Sequence, residues 1–536
     1  MRTRQVFSWG IMIVLILGVA FLPVDQTMAA SASKKIIRMA YDVADFVSLD
    51  PGGRGGSTVD FAIMDMVYSG LLRFKPGDIS IVEPDLAESY KVSNDGMEYI
   101  FNLRKGVMTH PFPGYPNGIE YTAEDVVWSY RRAADPKFQS YPINFQKFIV
   151  DALDKYTVRV RLKERLTDPT RTTFVNERGG WLLCKKALEV VGEEKHRYSP
   201  IGTGPFKVKQ RFPGQKMVLE AHDKFFRGKP RINEVEVWFM PELNSRDFAL
   251  RSGEIDIIKG EQEQKWIEKT RGFKNLTIDV FGGGETYILH INLAKKPLDN
   301  PLVRQALAYG ISRDEFKATI GADILTPLCS IVPDFLPGGL SCNDLSKEGL
   351  SYNVDREKAK DLLKKAGYPN GLDFEMYLSE KQSFRECLES LQAQWRTIGV
   401  NLKFNMVDHP TYHAFMLKDV SPFVLYESMR RDADAFLTQF FHSDSTIITG
   451  KAPSRNYSHA NFADGVIDAA RQATGQKQIA LWKEAQITLL KNLPAIPLYI
   501  KKFSFARNSK IKLGYEPVKT IYYNGLPITE LTDIAD

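Results

Sequence analysis

Residues 48–60 read SLDPGGRGGSTVD, four glycines around a single arginine, Arg54. Glycine has no Cβ, so such a loop lets backbone come close to a bound group. A Walker-type phosphate loop needs a lysine and a hydroxyl after its last glycine, and this stretch has no lysine. The dinucleotide pattern GxGxxG fails as well: the sixth residue from Gly53 is Thr58, and neither GTGPFK (202–207) nor GGGETY (282–287) completes it. The hydrolase elbow GxSxG fails at Val59. His409 and His413 stand four apart, one helical face, but spacing supplies no third metal ligand. Asp78, Glu83, Asp85 and Glu88 read as a solvated acidic face, and no carboxylate pair stands out as acid and base. No catalytic residue, metal site or cofactor is expected.

The elements around these residues are ordinary ones. KKIIRMAYDV (34–43) is a strand entering the glycine loop, and VDFAIMDMVYSGLLRF (59–74) has helical spacing. Asn94-Asp95-Gly96 turns a hairpin. Thr122 and Asp125 start a helix in capping-box style, and Asn300 with Pro301 starts another. FGGGETYILHINL (281–293) reads as a glycine-rich turn feeding a strand. Later strands at 373–378, 401–407 and 422–427 alternate with helices, which means α/β layers with mixed sheets. Cys329 and Cys342 bracket a Pro/Gly-rich loop that a disulfide would restrain, although pairing among Cys184, Cys329, Cys342 and Cys387 is not fixed by sequence.

Residues 1–32 have the order of a secretory signal peptide: Arg2 and Arg4, an apolar run from Ile11 to Leu22, then small residues with cleavage near Ala30–Ala32. No cysteine there suggests a lipid anchor, so a mature protein free in the periplasm is expected. Removing those two arginines and Asp25 takes the net charge from +6 to +5. No basic stripe appears, so nucleic acid is not an expected partner. A monomer is expected.

Taken in order, the motifs resemble one family. SLDP (48–51), EPDLAESYKVSNDGMEYIFNLRKGV (83–107), YTAEDVVWSYRRAADP (121–136), IGTGPFKV (201–208), LRSGEIDII (250–258), LHINLAKKPLDNPLVRQALAYGISRDEF (289–316), YNVDREKAKDLLKKAGYPNG (352–371) and LPAIPLYI (493–500) run through nearly all of the chain past the signal. This series resembles the oligopeptide/dipeptide/nickel-type solute-binding proteins of bacterial ABC importers. The resemblance implies an α/β fold: a periplasmic-binding-protein type II-like two-lobed clamshell with an extra domain. Lobe I takes 33–73, 200–291 and 500–536, the extra domain 74–199, and lobe II 292–499. It also implies capture of an oligopeptide or peptide-like solute, delivery to permease and ATPase subunits in the inner membrane, and no enzymatic activity. A nickel or haem receptor, or a chemoreceptor adaptor sharing the fold, is the alternative within the family; a secreted hydrolase is the alternative outside it.

In similar proteins the segment after SLDP lines the ligand cleft, which nominates Arg54, Gly55, Gly56 and Ser57. FGGGETY would cross the hinge and adds Tyr287. Peptide-binding relatives carry an aspartate before a DPDxFL-like motif, where it pairs with the peptide's free amine. Aligning LYESMRRDADAFL on Phe436 and Leu437 puts Met429 at that position and Tyr426 at the usual tryptophan, with Arg430, Arg431 and Asp432 following. Methionine cannot hold an ammonium by charge. Asp432 or Glu427 replaces it only if the register slips. The expected ligand is therefore anionic or amine-blocked.

Overall fold

In the computed structural model, the described residues are 34–53, 57–138, 144–177, 179–449, 455–520 and 525–535. Residues 1–32, expected above to be a signal peptide, and Arg54, Gly55 and Gly56 lie outside them. The apolar Ile36–Tyr41 strand is central to a mixed sheet, pairing in parallel with Glu234–Phe239 on one side and Ile257–Lys259 on the other. Lys216–Ala221 and Phe206–Phe212 extend one flank in antiparallel fashion. On the other flank come Ala495–Asn508, Leu276–Ile291 and the edge strand Phe423–Ser428. With Leu325–Pro327 this makes nine strands among the described residues.

Two of these strands are unusually long. Leu276–Ile291 and Ala495–Asn508 run antiparallel with a register shift between Phe281 and Glu285. The glycines at 282–284 thus form a bulge inside one continuous strand, not a turn ahead of it as the sequence suggests. Tertiary neighbours demand them. The Gly282 N–H donates to the Val518 carbonyl at 2.9 Å, and Gly283 has φ +80°. A Cβ on Gly284 would lie 1.9 Å from the Lys501 carbonyl oxygen.

Three hydrophobic clusters fill the interior. One gathers Tyr287, Phe384, Trp395, Phe436, Phe440 and Tyr499 with Ala249 and Trp266. A second joins Met39, Phe61, Trp181, Phe206, Phe281 and Phe505. A third, with Phe101, Val126, Phe148 and Phe174, lies around a separate antiparallel sheet ordered Ala87–Val92, Glu98–Leu103, Thr157–Leu162, Phe148–Asp154. The expected start signals hold. Thr122 and Asp125 form a capping box on Ala123–Ala134, and Asn300 accepts from the Leu302 N–H at 2.9 Å ahead of Pro301–Tyr309. Cys329 and Cys342 are bonded, while Cys184 and Cys387 are free and buried.

The acidic face read at 78–88 needs correction at Asp85. Its side chain is buried, pairs with Arg227, and accepts from the Gly70 N–H at 3.0 Å. A carboxylate enters an interior only with such partners.

Candidate ligand-binding site

The glycine loop is gripped from both ends. Asp60, buried at the start of the Thr58–Val67 helix, collects the N–H groups of Val47, Ser48 and Ser57 at 2.8, 2.7 and 2.9 Å. The Ser57 hydroxyl also donates to Asp60, so this candidate serves as the helix N-cap. Asp50 makes a two-pronged pair with Arg132, at 3.1 and 2.7 Å. The Gly179 N–H donates to the Pro51 carbonyl at 3.2 Å, which sets Pro51 beside the residues around Glu177.

Tyr287 and Tyr426 sit on paired strands but on opposite faces of the sheet, since the register sets Tyr287 against Glu427 and Ile288 against Tyr426. Tyr287 is fully buried and donates to Glu427 Oε2 at 2.7 Å. Lys381 pairs with the other oxygen of Glu427. Glu427 is therefore already engaged and makes a poor substitute for an amine anchor. Tyr426 is partly buried, with Phe440 and Tyr457 at 5.4 and 5.5 Å between centroids. The Arg455 guanidinium lies 5.7 Å from its ring centre.

The Met429–Asp432 segment links the edge strand to the Ala433–Phe441 helix. Met429 packs against both the second and third clusters. The two arginines after it behave differently. Arg430 donates to Gln439 Oε1 at 3.0 Å and to the Met429 carbonyl at 2.9 Å, and its guanidinium lies 5.1 Å from the Phe440 ring centre. Among the described residues no carboxylate pairs with it. Arg431 pairs with Glu177, whose side chain is buried. Asp432 caps the helix by accepting from the Ala435 N–H at 2.8 Å. Burial, then the neighbouring charges of Asp434 and Asp168, push its carboxyl up to about 7, against the pull of the Ala435 N–H and Arg431.

The histidine pair lies on the His409–Met416 helix with its Nε2 atoms 3.1 Å apart, and Ser379 Oγ contacts His409 Nδ1 at 2.8 Å. Burial holds both rings below the usual histidine range. Among the described residues, no group of three or more His, Cys, Asp or Glu is placed to hold a metal ion.

Sequence reasoning brought Tyr426, Met429, Arg430, Arg431 and Asp432 to one place, while Tyr287 faces the other side of the sheet. It missed Glu177, Arg455 and Tyr457, which reach this place only through tertiary packing.

The model describing bacterial extracellular solute-binding proteins, family 5 Middle, matches residues 82–446. The chain belongs to this family. Heme-binding protein A of Haemophilus influenzae is 26% identical over 460 residues, covering 82% of each chain. The Dipeptide-binding protein of Escherichia coli K12 is 26% identical over 469 residues, covering 82% of this chain and 84% of its own. Among solved structures, the solute-binding protein MoaA of A. tumefaciens R10, in complex with mannopinic acid, is 35% identical. It covers 94% of this chain and 100% of its own, with a TM-score of 0.72. Family 5 proteins are substrate-binding proteins of transporters, and solved type II periplasmic binding proteins share this mixed α/β fold. Among the described residues no helix is long and apolar enough to cross a membrane.

Proposed function

We propose that this family 5 protein captures an acidic or amine-blocked, peptide-like solute between two lobes and hands it to the permease and ATPase subunits of an ABC importer. The second cluster supports a lobe I built from 33–73, 200–291 and 500–536. The third supports an extra domain at 74–199, and the first a lobe II at 292–499, to which Ala40, Ala249, Trp266 and Tyr287 from the lobe I ranges also pack. The signal-like residues 1–32 support export to the periplasm, where the receptor acts as a monomer.

One observation carries the ligand chemistry. The amine-binding position of peptide-binding relatives holds Met429, and the next residue, Arg430, is a partly buried cation with no carboxylate pairing it among the described residues. A planar guanidinium is suited to a carboxylate or phosphate. The acid bound by the 35% identical relative supports the same chemistry. Tyr426, Tyr457 and Phe440 offer aromatic surface beside that charge. Arg54, Gly55 and Gly56, which lie outside the described residues, are further proposed solute contacts. A second reading, a free amine, rests on Asp432, whose raised carboxyl stands among other acids.

Native mass spectrometry of protein purified from its own periplasm identifies a co-purified solute, and calorimetry then measures its affinity. Arg430→Ala is expected to cost about 2–5 kcal/mol, the range for removing one partner of a buried charge pair. A loss under about 1 kcal/mol, as for an exposed pair, or tight binding of ordinary peptides that requires their free amine, overturns the acidic reading.

A further inference from the structure

Arg430 and Arg431 are adjacent, yet only one is poised for an anionic solute. Arg431 reaches out of the segment between the Phe423–Ser428 strand and the Ala433–Phe441 helix and pairs with Glu177. Glu177 belongs to the third cluster's part of the chain, 254 residues away in sequence. Its side chain is 2% exposed. Among the described residues Arg431 is the one cation within 4 Å of it, and Glu177 Oε2 accepts no hydrogen bond. A carboxylate this deeply buried depends on its partner. The pair is charge-neutral, so it adds little attraction for an acid.

Other contacts cross the same seam. The Thr167 hydroxyl donates to Asp434 Oδ2 at 2.8 Å, two residues beyond the cap formed by Asp432. Met429 touches the second and third clusters, and Phe335 touches the first and third. Hence the segment that carries Arg430 is tied to the antiparallel-sheet part of the molecule by an ion pair, a hydrogen bond and apolar packing. Separating the two parts would strand Glu177 without its cation.

We infer that Arg431 is a positioning residue for solute capture: its pair with Glu177 latches lobe II against the extra domain and so holds Arg430 and Tyr426 in place, without touching the solute. The inference rests on the two-lobe capture reading above. It divides the two arginines by role: Arg430 is the solute's counter-ion and Arg431 the fastening.

The test uses the full mature chain stripped of solute, with small-angle scattering and a pair of spin labels, one on each side of the seam. Arg431→Gln and Glu177→Gln keep shape and remove one charge. Each is expected to lengthen the inter-label distance and to weaken binding of the co-purified solute at least about tenfold, chiefly through faster dissociation. The reversed pair, Arg431→Glu with Glu177→Arg, is expected to restore the distance and bring affinity back to within about threefold of wild type. Should the reversed pair not fold, Arg431→Lys serves instead, and partial recovery of both readouts is expected. Weakened binding with an unchanged distance makes Arg431 a solute contact and overturns the latch. So does a reversed pair that folds but recovers neither readout, or an Arg431→Lys no better than Arg431→Gln. Because distance is read without solute, an error in the ligand chemistry shows separately, as a neutral Arg430→Ala beside a working latch.

Discussion

Tyr287 and Tyr499 stack with ring centroids 4.7 Å apart and planes 25° apart. The two rings belong to the long strands Leu276–Ile291 and Ala495–Asn508, just past the glycine bulge. Tyr287 then reaches the third strand through its bond to Glu427. On this side of the bulge three neighbouring strands are locked by rings and a charge-assisted hydrogen bond. Across the bulge, the same two long strands enter the second cluster through Phe281, Phe503 and Phe505. Ile278, Val280 and Ala506, on the same side of the bulge, pack with the first cluster instead, and the bulge is where the backbones of the two long strands come closest, at Gly284.

Gly284→Ala tests how tightly that joint is built. The new Cβ would meet the Lys501 carbonyl oxygen at 1.9 Å, so the paired strands must separate. A loss of about 1–3 kcal/mol is expected, as for other overpacked sites. Gly282→Ala is the control, because its nearest neighbour is the Val518 carbonyl oxygen at 3.3 Å and a small shift relieves it. Urea denaturation of the two variants should rank them clearly. Equal midpoints would mean that the strands do not run together at Gly284 as described.

Much of the fold was legible locally, and for identifiable reasons. Thr122 with Asp125, Asn300 with Pro301, and Asn94-Asp95-Gly96 act within a few residues, so their chemistry is visible in the string itself. The glycines at 282–284 misled because a bulge and a turn draw on the same residue type. What distinguishes them is the 518–520 segment alongside, more than 200 residues later. Tyr287 and Tyr426 looked alike as candidates, and only the strand register puts them on opposite faces. The pairing of Arg431 with Glu177 was not legible because the two are 254 residues apart in sequence. Ser57 and Asp60 have the same capping-box spacing as Thr122 and Asp125, so the cap at Ser57 was legible too; the N–H groups of Val47 and Ser48 that Asp60 also collects were not.

His290 gives a pH prediction with a definite sign. Its side chain is buried among Phe440, Phe441 and Tyr457, and burial alone pushes the ring down to about 3. It is neutral when folded, whereas the unfolded chain takes up a proton below about pH 6.5. Its contribution is therefore complete above pH 6.5 and is lost as pH falls toward 3. At pH 5 the gap of about 1.5 units corresponds to about 2 kcal/mol. His290→Phe keeps an aromatic ring without the titration. Between pH 8 and pH 5 it should lose about 2 kcal/mol less stability than wild type in denaturant unfolding. Identical pH profiles would show that the ring is not held neutral.

Met429→Asp restores, on paper, the acid that peptide-binding relatives use. The surroundings argue against a simple gain. Met429 packs against two apolar clusters, and Arg430 follows it directly. A carboxylate placed there would be partly desolvated and would find its nearest counter-charge in Arg430. The new pair would neutralise Arg430, the cation proposed to hold the solute's acid. Binding of the acidic solute should fall at least about tenfold, a cost of about 1.4 kcal/mol or more. The same substitution should not create tight binding of a free-amine tripeptide, because the new acid is already paired. Met429→Leu conserves volume and apolarity and should stay within about 1.5 kcal/mol of wild type in stability, with solute affinity unchanged. Calorimetry on both variants, with the acidic solute and the tripeptide, separates the readings. If Met429→Asp binds the acid as wild type does, Arg430 is not its counter-ion. If it instead gains the tripeptide, the position still works as an amine anchor, and Met429 alone had masked it.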